Sequence, residues 1–297
     1  MKIGILQTIH PPYDKRVYWK EAVSLAQAGH EVVLFQPTEI TLPDAQDGCR
    51  FVPLPWDASI RGRLRTTWRL VGAGRRERCD VYMAVEPESW VAGLAIKLTT
   101  GSPIVFDVHE YFPTLFAKFF PRALGAPVTW LTRFMMRVFA RFTDEIVLTK
   151  ACLDEDFKGI RVRRTVVLNT NHLQPRCTEI PEALRARYAE RPTLIHQGIF
   201  GTYRGAYELL EAMKRLVREE PDIRCICLGR YEYGTKDEYL AALHESGMDE
   251  YIEVIDEVPF TEVPAWMAVS RIGLILFQPV GLEHTYGMPH KMFDYMR

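Results

Sequence analysis

The segment FDVHEYFP changes abruptly from apolar residues to side chains that can perform chemistry. Asp107, His109 and Glu110 accompany the end of the apolar run PIVF, which is typical of a buried strand. A neutral histidine can donate a hydrogen bond to a sugar hydroxyl or a phosphate, and a carboxylate can orient its ring. Capping of the following helix explains the same residues equally well. Their spacing is not by itself a metal-binding pattern, and we expect no metal site.

A second candidate site is the glycine-rich loop in HQGIFGTYRGAYELLEAM. Gly198, Gly201 and Gly205 lie between an apolar run and an amphipathic helix pattern. Backbone N–H groups at such a helix start can bind an anion, and Arg204 adds a permanent charge. A glycine-rich turn with a solvated arginine is the alternative interpretation.

The segment GMPHKMFDYM is the third candidate. Pro289 suits the first turn of a helix, and Lys291 falls in that same turn. A lysine there opposes the helix dipole, a penalty that a bound anion would explain. An ordinary surface lysine is the alternative interpretation. Arg204, Lys291 and His109 together could bind a diphosphate.

Two common nucleotide sites are excluded by the loops themselves. The loop QTIHPPYDKRV follows the first apolar run and has prolines where a dinucleotide fingerprint needs glycines. The GxxxxGK[ST] pattern of a P-loop is also missing from the sequence. The six cysteines form no CxxC pair, so we expect reduced and mostly buried thiols.

Apolar runs alternate with amphipathic stretches along most of the 297 residues, which predicts α/β domains with parallel sheets. The stretch KRVYWKEAVSLAQAG, for example, is predicted as a helix closed by Gly29. The run IGLILFQP, residues 272–279, is predicted as the last strand. Polar residues 174–190 interrupt the alternation, so we place one domain at 1–173, a linker at 174–190 and a second domain at 191–297. Residues 1–173 carry a net charge of +5 and the remainder −6, which agrees with the total of −1.

Five segments in the same order resemble the retaining family-4 glycosyltransferases, whose GT-B fold is two facing Rossmann-like domains. They are HPPYDKRVYWKEAVSLAQAGHEV, VFDVHEYFP, VVLNTNHL, HQGIFGTYRGAYELLEA and GMPHKMFDYM. The resemblance assigns His109 and Glu110 to catalysis. It assigns the donor diphosphate and nucleotide to Gly198, Arg204, Gly205, Pro289, Lys291 and Asp294. It assigns the acceptor loop to His10, Pro11, Tyr13, Asp14 and Arg16.

The sequence departs from the family pattern at three places. Ile199 replaces an arginine that contacts the donor phosphate, and Tyr286 replaces the first carboxylate of the E-x₇-E pair. Asp294 keeps the second carboxylate. A glycine pair of the acceptor loop becomes Pro11 and Pro12, which stiffens the loop.

The resemblance implies transfer of a sugar, with retention, from a UDP- or GDP-linked donor to a glycan or lipid-linked acceptor. It implies no cofactor and no metal, because protein cations stabilise the leaving diphosphate. Cell-surface polysaccharide or glycolipid synthesis is the expected setting. A non-catalytic binding subunit or inactive fragment, favoured by Ile199 and Tyr286, remains an alternative, as does a sugar-nucleotide epimerase.

Residues 111–143 contain no acidic residue and alternate cations with large apolar side chains. The cations are Lys118, Arg122, Arg133, Arg137 and Arg141. The apolar residues are Phe116, Phe119, Phe120, Trp130, Leu131, Phe134, Met135 and Met136. This composition predicts peripheral binding to an anionic membrane, with a core helix that has a solvated basic face as the alternative. We expect a cytoplasmic protein that also works at the inner face of the cytoplasmic membrane, and no nucleic-acid partner.

The final segment reads as the opening of a helix without a stop signal. The resembled family continues for about two further β/α units, on the order of 60 residues. We therefore expect a fragment of a longer product whose second domain is incomplete and weakened.

Overall fold

The computed structural model describes residues 1–57, 59–170, 179–232, 234–259 and 261–296. The chain divides into two compact units, Met1–His172 and Leu173–Arg297. Part of the predicted linker, residues 174–178, lies outside the described residues. Its described part contains the helix Glu182–Tyr188, and Tyr188 packs against Ile195 and Ile226 of the second unit.

The first unit is built on an eight-stranded sheet in the order β3-β4-β2-β1-β5-β6-β7-β8. Its strands are β1 Lys2–Leu6, β2 Glu31–Thr38, β3 Ala45–Gln46, β4 Cys49–Pro55, β5 Val81–Ala84, β6 Ile104–Val108, β7 Glu145–Leu148 and β8 Arg163–Val166. Every neighbouring pair is parallel except β3 with β4, which is antiparallel. The two-residue strand β3 is too short to show an alternating pattern, and the sequence did not predict it.

Helices make the connections between these strands, except those from β2 to β3 and from β3 to β4. They comprise the π-helix Lys15–Ala22, the α-helices Val23–Gln27, Ile60–Glu77, Pro87–Thr100, Phe112–Ala117 and Gly125–Ala140, and the 3₁₀ helices Arg122–Leu124 and Ala151–Phe157. Consecutive residues of β1 pack in different hydrophobic cores. Leu6 packs in the same core as Trp90 and Phe106, whereas Ile5 packs in the core that contains Tyr18. The sheet therefore has helices on both faces, which confirms the predicted α/β class.

The second unit repeats this plan with a four-stranded, all-parallel sheet in the order β11-β10-β9-β12. Its strands are β9 Thr193–Gln197, β10 Arg224–Leu228, β11 Ile252–Ile255 and β12 Ile272–Gly273. Its helices are the α-helices Glu182–Tyr188, Ala206–Glu219, Lys236–Glu245, Val263–Ala268, Leu282–Thr285 and His290–Tyr295, and the 3₁₀ helix Thr202–Arg204. Cys225 and Cys227 are buried in β10, in agreement with the expectation of mostly buried thiols.

Strand β12 is much shorter than the predicted strand over residues 272–279. The amide of Leu274 still donates to the carbonyl of Ile195 in β9, and beyond it the chain runs beside the glycine-rich loop. There the amide of Gln278 donates to the carbonyl of Tyr203 at 3.2 Å. Some backbone hydrogen-bonding groups of the apolar run are therefore paired outside the sheet. The composition of the run gives no sign of this pairing.

Candidate functional site

In the first unit, polar side chains gather at the carboxyl edge of the sheet, where open α/β sheets bind ligands. His10 follows β1, Glu86 follows β5, and Asp107 lies near the end of β6 with His109 just beyond it. The π-helix that follows β1 adds Arg16. π-Helical segments are rare and are frequently found at functional sites.

Arg16 and Asp107 form a buried, two-point ion pair. The guanidinium donates from Nε to Oδ2 at 2.8 Å and from Nη2 to Oδ1 at 2.5 Å. Arg16 also reaches Oδ1 of Asn169, at 3.4 Å. Burial would raise the pKa of Asp107, but His109 and Arg16 outweigh it and lower the pKa to about 2. Arg16, assigned above to the acceptor loop, is thus engaged with the carboxylate beside His109.

His109 lies with its Nδ1 3.3 Å from Oδ2 of Asp107. This contact lacks hydrogen-bond geometry, and Nδ1 has no hydrogen-bond partner among the described residues. The nearby carboxylate still favours the tautomer with the proton on Nδ1. Nε2 then has a lone pair that can accept a proton or a hydrogen bond. Glu110, the other predicted catalytic residue, is exposed.

His10 is a second histidine in this cluster, with its ring centroid 5.3 Å from that of His109. Its Nδ1 lies 3.7 Å from Oδ2 of Asp14, and its Nε2 lies 3.6 Å from Oε1 of Glu86. Burial lowers the pKa of His10, but the two carboxylates outweigh it, so the net pKa is raised. His10 therefore remains protonated to higher pH than an ordinary histidine.

The rest of the acceptor loop has an unusual backbone. Tyr13 has a φ of +63°, which a bulky side chain rarely adopts. Its hydroxyl donates to the side chain of Gln46 at 2.9 Å, and Pro11 before it is exposed. Asp14 starts the π-helix by accepting from the amides of Arg16 and Val17. Strained residues of this kind concentrate at ligand sites.

Glu21 and Glu86 belong to this cluster, although the sequence did not single them out. Glu86 accepts from the amides of Thr8 and Ile9 at 3.0 and 3.2 Å, which fixes the start of the loop. Glu21 lies 2.9 Å from Nη2 of Arg16. Burial, with a contribution from Asp107, raises the pKa of Glu21 well above its usual range. The position of Glu86 directly after a strand was the available signal.

In the second unit, the predicted glycine-rich loop follows β9. Gly205 has a φ of +81°, and a Cβ there would lie 2.5 Å from Cβ of Leu276. At Gly201, with φ of +143°, a Cβ would lie 1.6 Å from the carbonyl oxygen of Glu232. Glycine is required at both positions, and Gly205 directly precedes the helix Ala206–Glu219.

Arg204 lies in the 3₁₀ turn before this helix. Its guanidinium carbon is 4.3 Å from the centroid of the Phe277 ring. Its buried Nε has no hydrogen-bond partner within the described part of the chain. An arginine packed on an aromatic ring with a remaining donor is suited to an anionic ligand.

The helix His290–Tyr295 packs its polar residues onto the end of β9, and Pro289 precedes it as predicted. Lys291 and Asp294 are both buried. The Nζ of Lys291 lies 2.9 Å from Nε2 of His196, and Gln197 donates to Asp294 at 2.7 Å. The structure thus brings Lys291 and Asp294 to the strand end that leads into Gly198.

His196 is a residue that the sequence analysis missed. Burial, followed by the charges of Lys291 and Arg204, lowers its pKa to about 2, so the ring is neutral. A Cβ built at Gly198 would lie 3.9 Å from Cε of Lys291, so this lysine lies beside the glycine-rich loop that carries Arg204. A histidine inside the apolar run TLIHQ was the signal available in the sequence.

Known structures that resemble this chain include glycosyltransferases of the GT-B fold, and the chain has that fold. Sucrose-phosphate synthase from Thermosynechococcus elongatus matches with a TM-score of 0.69 and 14% sequence identity. The match covers 95% of this chain and 77% of the synthase chain. Anabaena HepE in complex with UDP and glucose matches with a TM-score of 0.64 and 16% identity, and the match covers 92% of this chain and 73% of the HepE chain. WaaG, a glycosyltransferase involved in lipopolysaccharide biosynthesis, has a TM-score of 0.58 at 15% identity, covering 93% and 74%.

A family model described as a glycosyl transferase 4-like domain matches residues 16–172, more than half of the chain. The protein belongs to this family. A search of curated protein sequences gave no significant match.

Proposed function

We propose that the protein is a retaining glycosyltransferase that moves a hexose from a nucleotide diphospho-sugar to an acceptor without a metal. The observation that supports this most strongly is the pair of cations, Arg204 and Lys291, beside a glycine-rich helix start in a glycosyl transferase 4-like protein. Both charges would stabilise the diphosphate as it leaves the sugar. Asp294 would accept hydrogen bonds from the ribose hydroxyls.

His109 is the residue that we propose acts at the transferred sugar. Asp107 orients its ring, and the lone pair on Nε2 is suited to a sugar hydroxyl. His10 and Asp14, from the strained loop after β1, are proposed to bind the acceptor. Because the leaving diphosphate is itself a base, it can take the proton of the attacking acceptor hydroxyl, and no enzyme nucleophile is then required.

Release of the nucleoside diphosphate tests this function directly. We expect one member of a panel of UDP- and GDP-sugars to lose its sugar when a glycan or lipid-linked saccharide is supplied. The rate should be unchanged by EDTA, and the product should keep the anomeric configuration of the donor. Inhibition by EDTA would contradict the metal-free mechanism, and inversion would contradict retention.

The same assay separates the alternatives. Tyr286 and Ile199 depart from the family pattern, which favours a subunit that binds the donor without using it. Such a subunit would bind a nucleotide sugar and release nothing. An epimerase would convert the nucleotide sugar without any acceptor.

Arg204 provides the first quantitative prediction. Arg204→Ala should weaken donor binding by about 10- to 150-fold, because a charge-assisted hydrogen bond contributes roughly 1.5–3 kcal/mol. Arg204→Lys should recover part of this loss. Arg218→Ala, an exposed change in the last turn of the helix Ala206–Glu219, is the matched control and should have no effect. Equal affinities for the Arg204→Ala variant and the wild type would exclude this role.

We also propose that the first unit contacts an anionic membrane. Phe119 and Trp130 are 74% and 66% exposed, and Trp130 stacks on Phe134 with ring centroids 5.7 Å apart. Lys118, Arg122 and Arg141 are exposed in the same segment. Met136, in contrast, is buried, and Arg133 donates to Asp156 at 2.8 Å. The prediction that these two residues belong to the membrane-binding surface is therefore not supported.

The surface fits a peripheral contact, and within the described residues no helix is long and apolar enough to cross a bilayer. Large side chains inserted at the headgroup level and cations near anionic lipid both contribute to such binding. A lipid-linked acceptor, used in cell-surface polysaccharide or glycolipid synthesis, would be within reach of an enzyme bound in this way.

Vesicle co-sedimentation tests the surface. Binding to anionic vesicles should weaken as salt rises, because the cations are screened within about 10 Å at 0.1 M. The change of Trp130 and Phe134 to Ser should reduce partitioning by about tenfold or more. Ile40→Ser removes a similarly exposed apolar side chain elsewhere and should have little effect. Equal binding by neutral and anionic vesicles, or by both variants, would contradict the proposal.

A further inference from the structure

His196 is a buried polar residue in the middle of a parallel sheet, and its contact with Lys291 defines its hydrogen-bonding role. The two nitrogens, Nε2 and Nζ, are 2.9 Å apart. An ammonium group can only donate, so Nε2 must be the acceptor and the ring proton must lie on Nδ1. The low pKa of His196 agrees with a neutral ring that always offers this lone pair.

The backbone of the helix that carries Lys291 is held by other contacts. Gln197 donates its side-chain amide to Asp294 at 2.7 Å and its backbone amide to the hydroxyl of Tyr295 at 2.9 Å. The Tyr295 hydroxyl also donates to the carbonyl of Ile195 at 3.2 Å. The helix is therefore anchored without His196, whose contribution falls on the far end of the lysine side chain.

A lysine has a flexible four-carbon stem, and ordering it costs conformational entropy. When a neighbouring group orders the stem before the ligand arrives, this cost no longer opposes binding. A neutral acceptor is suited to that task, since a carboxylate would cancel the charge that an anionic ligand needs.

We propose that His196 is a positioning residue that holds the Lys291 ammonium ready for the donor diphosphate. This inference rests on the proposed function, because it requires a diphosphate beside Lys291. Nothing in the reaction passes through the imidazole itself, which acts only through the lysine.

Two conservative variants test it with UDP as the probe. His196→Gln can place an amide oxygen near the position of Nε2, whereas His196→Asn is one methylene too short to reach it. We expect the Asn variant to bind UDP about 10- to 30-fold more weakly, as the ordering entropy of one lysine side chain predicts. The Gln variant should retain most of the affinity. Binding of uridine, which has no phosphate, should be the same in all three proteins.

A double-variant cycle completes the test, because a residue that acts through Lys291 has no effect once that lysine is gone. In a Lys291→Met background, His196→Asn should leave UDP affinity unchanged. Equal losses in the Gln and Asn variants, an equal loss for uridine, or an additive cycle would each show a merely structural role and overturn the inference.

The Lys291→Met variant provides a test even if a His196 variant does not fold, because it leaves the buried strand unchanged. The quantity to compare is the ratio of UDP affinity to uridine affinity in this variant and in the wild type. If Lys291→Met does not reduce the wild-type preference for UDP, the inference is overturned. A wild-type protein that binds no nucleoside diphosphate would overturn the donor site as well, which distinguishes the two failures.

Discussion

Arg16→Met is expected to lower the free energy of unfolding of the first unit by roughly 3–5 kcal/mol. The change leaves the fully buried Asp107 without the guanidinium that neutralises it from two nitrogens. Denaturant unfolding followed in the wild type and the variant measures this loss. Arg163→Met is the matched control, because its contact with Glu145 is 3.8 Å long and exposed, and it should cost no more than about 1 kcal/mol.

The double variant Arg16→Met with Asp107→Leu sharpens this prediction. Removal of both charges eliminates the unpaired carboxylate, so most of the stability lost in the single variant should return. Because the folded-state pKa of Asp107 is lowered, its stabilising effect is complete above about pH 4, its ordinary value, and is lost as the pH falls towards about 2. A single variant as stable as the wild type would show that the pair contributes nothing.

His109→Ala should reduce turnover by about 5- to 150-fold, because a sugar hydroxyl left without its hydrogen-bond acceptor costs roughly 1–3 kcal/mol. UDP affinity should stay the same, because the proposed nucleotide-binding residues belong to the other unit. The measurement is the rate of nucleoside diphosphate release beside the dissociation constant of UDP. His244→Ala, an exposed histidine paired with Asp249, is the control and should leave both values unchanged. Loss of thermal stability without loss of turnover would identify His109 as a structural residue.

Local patterns predicted most of the fold because burial and periodicity are local properties of a strand or helix. The apolar run PIVF became part of β6, and the amphipathic pattern after Gly205 became the helix Ala206–Glu219. The predicted helix after β1 begins instead as a π-helix, in which the amide of Trp19 donates to the carbonyl of Asp14. Residue type alone does not distinguish that winding from an α-helix.

The candidate site was predictable where it depends on loops and not where it depends on distant pairs. Glycines and cations after a strand identified Arg204 and Lys291 as candidates for anion binding. The pairing of Arg16 with Asp107 joins residues 91 positions apart, and no local pattern encodes it. His196 was overlooked for a related reason, since a single histidine in an apolar strand is usually a core residue until its neighbour is known.

Calorimetric titration of the wild-type protein with uridine, UMP and UDP tests the donor site most directly. Each added phosphate should strengthen binding, with the largest step at UDP, because Arg204 and Lys291 provide two charges for a diphosphate. The same series with guanosine, GMP and GDP shows whether the other base is preferred. Equal affinities for the nucleoside and its diphosphate in both series, or no binding in either, would contradict the proposed function.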